Sequence, residues 1–125
     1  MAKILYFEDN KVLRNRVKEF LSDYEHEIDD YEDPTYFLDK QKKKEVSLSN
    51  YDILLTDMNM PNMNGIDFVK EHILGKNLDL PIIFMGLECN NPKIERLGIK
   101  NYSLFEKGKD IKLLEQIINE KIKKV

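Results

Sequence analysis

A single cysteine, Cys89, stands in a chain of 125 residues, which excludes an internal disulfide and leaves no thiolate cluster to hold a metal. Such usage suits a reducing interior. Long apolar runs are equally scarce: none approaches the ~20 residues a membrane-spanning helix needs. The N-terminal MAKILYFEDN lacks the small-residue cleavage site of a signal peptide. A soluble, cytoplasmic protein without membrane contact is therefore expected. An excess of positive charge is also missing. Lys and Arg number 20 against 23 Asp and Glu, for a net charge of −3, so no uniformly basic face announces nucleic-acid binding and none is expected. Without repeats or low-complexity linkers, residues 1–125 read as one domain, long enough to bury a normal core.

What is present is an alternation of short apolar runs with helical periodicity. Ile4-Leu5-Tyr6-Phe7 reads as a strand ending at Glu8-Asp9. From Val12 onward Leu13, Val17, Phe20, Leu21 and Tyr24 recur at helical spacing. The polar stretch His26–Tyr31 is compatible with an edge strand. Asp33-Pro34 signals a helix start carrying Tyr36, Phe37 and Leu38, which dissolves into the charged QKKKE, read as solvated. Ile53-Leu54-Leu55-Thr56-Asp57 is a buried strand that runs into a Pro/Asn/Gly loop. A helix follows from Gly65, with Ile66, Val69 and Ile73 on one face, ending near Gly75. Pro81–Met85 forms a further strand that stops at Gly86. A short helix is expected between Pro92 and Gly98, and Tyr102–Phe105 is a fifth strand. Ile111, Leu114, Ile118 and Ile122 mark a last amphipathic helix, whose Lys121–Lys124 end reads as solvated.

This rhythm predicts a parallel sheet with helices on both faces, and right-handed crossovers then bring all strand C-termini to one edge. Open α/β sheets place ligand sites at that edge. Glu8, Asp9, Asp57 and Lys107 would meet there. Three bare carboxylates repel one another, and a hard divalent cation with oxygen ligands, Mg²⁺, removes the conflict. Asp9 and Asp57 could bind it directly, Glu8 through a water, and a backbone carbonyl just past Asp57 could add a ligand. An Asp in such a place can attack phosphorus to give an acyl phosphate, with Lys107 pairing a phosphoryl oxygen. Each residue also has a plainer reading: Asp57 as a turn cap, Asp9 as a helix cap, Glu8 as a loop acid and Lys107 as a solvated lysine.

Over nearly its whole length the chain resembles a receiver domain of two-component response regulators. Glu8-Asp9 after KILYF, Asp57 within DILLTDMNMPNMNG, Pro81 opening PIIFM, and Lys107 carry the resemblance. It implies a flavodoxin-like α/β sandwich with five parallel strands in the order 2-1-3-4-5. It also implies that Asp57 is the phosphoacceptor, that Asp9 and Asp57 ligate Mg²⁺ and Asn59 lends its backbone carbonyl, and that Lys107 contacts the phosphoryl group. The implied partners are a histidine kinase or phosphotransfer protein and a downstream protein. Catalysis would be limited to the domain's own phosphorylation and dephosphorylation.

The chain departs from the family at Gly86, where Thr or Ser is usual, at Leu87, where a small residue is common, at Leu104, where the aromatic switch falls, and at Lys107-Gly108 in place of Lys-Pro. Gly86, Leu87 and Leu104 support an alternative, a pseudo-receiver that binds a protein partner independently of phosphorylation. A phosphatase with Asp57 as nucleophile is a third reading, but Asn59 stands where a general acid is needed.

Overall fold

The computed structural model describes residues 2–86 and 92–123. Its strands β1 (Lys3–Phe7), β2 (Glu27–Tyr31), β3 (Ile53–Asp57), β4 (Ile82–Gly86) and β5 (Tyr102–Glu106) form one sheet in the order 2-1-3-4-5. Every pairing is parallel, as a flavodoxin-like fold requires. Helices α1 (Lys11–Ser22), α2 (Pro34–Lys42), α3 (Gly65–His72), α4 (Pro92–Arg96) and α5 (Ile111–Lys123) connect and flank it. The central strands β3 and β4 are buried on both faces, which explains their unbroken apolar runs.

Alternation along the strands feeds two apolar layers. Ile4, Tyr6, Leu55, Met85 and Phe105 pack with Val17 and Leu21 of α1 and Leu114 and Ile118 of α5. Leu5, Phe7, Leu54 and Phe84 pack on the opposite face with Phe37 of α2, Phe68 and Val69 of α3 and Ile94 of α4. Phe68 escaped the expected α3 stripe, yet it is fully buried, 4.9 Å from the Phe7 ring in an edge-on contact.

The polar strand β2 pairs with β1 at the sheet edge, and its Asp29 and Asp30 find partners on opposite faces. Asp30 faces α1, where Arg14 and Lys18 reach it at 3.2 and 2.8 Å. Asp29 accepts the Tyr51 hydroxyl at 2.7 Å. Some boundaries and one surface reading differ from expectation, and β4 runs Ile82–Gly86 where Pro81–Met85 was expected. Helix α3 stops at His72, and a 3-10 turn, Leu74–Lys76, carries Gly75. Strand β5 continues to Glu106. Lys121, expected to be solvated, donates to Asn101 Oδ1 at 2.7 Å and ties α5 to the start of β5.

Candidate phosphoacceptor and cation site

Because all five strands run parallel, Glu8, Asp9, Asp57 and Lys107 share the C-terminal edge. Lys107 Nζ lies 2.9 Å from Glu8 Oε1 and 3.0 Å from Asp57 Oδ2. Glu8 is fully buried, Asp57 nearly so, and Asp9 is exposed. One carboxylate oxygen from each acid lies within 4.8 Å of the others. The expected convergence is therefore realised.

Local backbone chemistry fixes these side chains. Asn10 caps α1 by accepting from Leu13 N–H at 3.1 Å, so Asp9 is free of the capping role and extends its carboxylate at the sheet edge. The Asn10 N–H donates to Glu8 Oε2 at 3.1 Å, and Arg14 Nη1 donates to the Glu8 carbonyl at 2.7 Å. Arg14 thus ties the β1–α1 turn to α1 and, through Asp30, to β2. Sequence reading missed that role, because it depends on a partner in another strand.

Past β3, the Met58 N–H donates to Met85 O at 3.2 Å, and Met58 O accepts from Gly65 N–H at 3.1 Å. A Cβ on Gly65 would stand 2.2 Å from the Asp57 carbonyl, so only glycine lets α3 begin this close to Asp57. Asn59 is exposed, and its N–H donates to Asp57 Oδ1 at a long 3.4 Å. The turn-cap reading of Asp57 therefore holds as one minor contact of a carboxylate whose other oxygen meets Lys107.

Electrostatics match the crowding. Burial pushes the Glu8 carboxyl up to about 7; Lys107 and the Asn10 N–H offset part of this, and the Asp57 charge adds to it. Burial alone would lower the Lys107 ammonium, but Glu8 and Asp57 together hold it above its usual value. Burial, with the Glu8 and Asp57 charges, also raises Tyr6, whose hydroxyl finds no hydrogen-bond partner among the described residues. A buried acid that ionises reluctantly, beside a second acid and an oxygen-only donor set, fits a hard divalent cation.

At the switch positions, Gly86 ends β4 with its carbonyl accepting Lys107 N–H at 2.8 Å. Leu104 packs partly buried in the α3–α4 layer, whereas Phe105 points into the α1–α5 layer. Gly108 turns the chain at φ +99°, in the left-handed region open to glycine. Leu87 lies outside the described residues.

A family model described as the response regulator receiver domain matches residues 4–119. The sensor protein EvgS of Escherichia coli K12 is 34% identical over 93 residues, which are 74% of this chain and 7% of EvgS. The transcriptional regulatory protein CiaR of Streptococcus pneumoniae is 30% identical over 125 residues, covering 98% of this chain and 49% of CiaR. The chain thus spans less than half the length of either relative. A response regulator receiver domain protein from Clostridium thermocellum superposes with a TM-score of 0.81 at 22% identity, over 98% of this chain and 95% of that one, which speaks to the fold. With the family pattern running from the first strand almost to the end of the last helix, the chain belongs to the response regulator receiver domains.

Proposed function

We propose that this domain accepts a phosphoryl group on Asp57 in a Mg²⁺-dependent reaction, from a histidine kinase or phosphotransfer protein, and presents an altered surface to a downstream protein in the cytoplasm. The observation that carries this reading is the single ammonium of Lys107 shared between Glu8 and Asp57, with Asp9 completing an oxygen cluster within 4.8 Å. Glu8, through a water, Asp9, Asp57 and the Asn59 carbonyl are the residues that would hold the cation. When bound, Mg²⁺ supplies neutralisation of the transferring group's charge.

In the transfer, an Asp57 carboxylate oxygen forms the O–P bond as the P–N bond of the donor phosphohistidine breaks. The electron pair stays on the imidazole, which takes a proton. Lys107 exchanges its contact with the Asp57 carboxylate for a phosphoryl oxygen, so its charge follows the developing anion. Chemistry beyond the domain's own phosphorylation and dephosphorylation is not part of this reading. Incubation with Mg²⁺ and acetyl phosphate should add one phosphate mass, absent in Asp57→Asn. No adduct with any donor overturns the assignment.

Gly86 and Leu104 favour a second reading, a pseudo-receiver that binds its protein partner without phosphorylation. Gly86 offers no hydroxyl to a phosphoryl oxygen, and Leu104 is already packed in the α3–α4 layer. A switch requires contacts that differ between two states. Amide spectra unchanged by a phosphoryl mimic would support the second reading; broad shifts through residues 86–108 would count against it.

A further inference from the structure

The loop between β3 and α3, from Met58 to Asn64, carries the Asn59 carbonyl assigned above to the cation. Its two ends are fixed by the backbone bonds of Met58 and by Asn64, which caps α3 by accepting from Asp67 N–H at 2.8 Å. Between those ends Met60 and Met63 pack partly buried against the α2–α3 layer. Thioether side chains adapt to their surroundings and set depth more than direction. A directional bond is supplied by Asn62. Although exposed itself, Asn62 donates its amide Nδ2 to Asp33 Oδ2 at 2.8 Å, across 29 positions of sequence.

Asp33 is a firm anchor for that bond. It is 1% exposed and caps α2, accepting Thr35 N–H at 2.7 Å and the Thr35 hydroxyl on the same oxygen, with Pro34 setting the first helical residue. Its second oxygen is left for Asn62. A hydrogen bond to a carboxylate is among the stronger kinds, and this one joins the loop to a helix that contributes nothing else to the acidic cluster.

We propose that the Asp33–Asn62 bond is a strut that holds the β3–α3 loop where its backbone completes the cation site, making Asp33 and Asn62 positioning residues for chemistry at Asp57. The proposal rests on the reading of the preceding subsection. Partners one shell removed from a metal commonly change its affinity by about tenfold or more when lost. Cutting the strut lets the loop sample positions in which the Asn59 carbonyl turns away, while Glu8, Asp9 and Asp57 stay in place.

The test is Mg²⁺ titration by calorimetry, with amide hydrogen exchange of residues 59–63 followed without metal. Asn62→Ala should weaken Mg²⁺ roughly tenfold and speed exchange in the loop. The reciprocal swap Asp33→Asn/Asn62→Asp, which reverses donor and acceptor at constant net charge and keeps an amide oxygen to cap Thr35, should recover both. Glu115→Ala, remote from the loop, should leave Mg²⁺ affinity unchanged and so separates positioning from general loss of stability. Affinity of Asn62→Ala within twofold of the parent overturns the strut alone. A parent protein that binds no Mg²⁺ overturns the cation site and the strut with it.

Discussion

Lys107 Nζ stands 3.0 Å from Asp57 Oδ2, so the proposed phosphoacceptor already carries a partner cation before any donor arrives. That contact stabilises the resting carboxylate and keeps the ammonium within reach of a phosphoryl group added to Asp57, as proposed above. The same charge also competes with a divalent cation for Glu8 and Asp57. Lys107→Met should therefore separate two properties. Phosphorylation by acetyl phosphate should slow by about 100-fold, the usual loss when one anion-stabilising donor is removed, whereas Mg²⁺ should bind as tightly as before or more tightly. A mass-resolved time course and a Mg²⁺ titration check the two halves; joint loss of both would show that Lys107 mainly holds the fold of the site.

Gly65 offers a sharper steric test. Its missing Cβ leaves room for the Asp57 carbonyl and for Thr56 Oγ1, which would lie 2.2 and 2.7 Å from an added methyl. Backbone cannot yield as a side-chain tip does. Gly65→Ala is expected to cost about 3 kcal/mol in urea unfolding and to slow the proposed phosphorylation, because relief must come from moving Asp57 or the start of α3. Gly98, at φ +72° with nothing within 4 Å of where a Cβ would stand, is a different case, in which only backbone strain opposes substitution.

A buried pair on the opposite side of the sheet ties α5 to the start of β2. His26 Nε2 meets Glu115 Oε2 at 2.8 Å, and Ala2 N–H donates to His26 Nδ1 at 3.0 Å. An accepting Nδ1 places the ring proton on Nε2, so the imidazole is neutral and donates to Glu115. Nitrogen chemical shifts should report that tautomer. Glu115→Ala strands the Nε2–H and should cost about 2 kcal/mol in urea unfolding. His26→Ala combined with it should cost less than the sum of the single changes.

The acids and lysine of the site were legible because each sits at the end of an apolar run, and parallel strands bring such ends together whatever fills the core. Asp57 was further marked by the segment DILLTDMNMPNMNG, which carries the family resemblance. The supports were not legible. Arg14 on the Glu8 carbonyl, Asn62 on Asp33 and Glu115 on His26 join residues 6, 29 and 89 positions apart, and only the fold says which polar residue meets which. Phe68 was hidden for a different reason: Ile66 and Ile73 drew the apolar stripe of α3 to one side, while the ring that fills the space beside Phe7 and Phe37 lies between them.

Asp33 provides a pH test. Burial opposes its charge, but the bonds from Thr35 and Asn62 outweigh this and hold its carboxyl below the ordinary value. In the unfolded chain the carboxyl titrates near ~3.9. Just below that pH the unfolded state binds more of this proton than the folded state does, so the contribution of Asp33 is complete above ~4 and is lost as pH falls through the lower, folded value. Asp33→Asn keeps a capping oxygen but cannot ionise, and it should be less stable by about 1–2 kcal/mol at pH 7. Urea midpoints of the two proteins should run parallel from pH 7 to 5 and converge at lower pH. A constant gap down to pH 3 would mean that the cost of the substitution lies in packing around Asp33 and not in its charge.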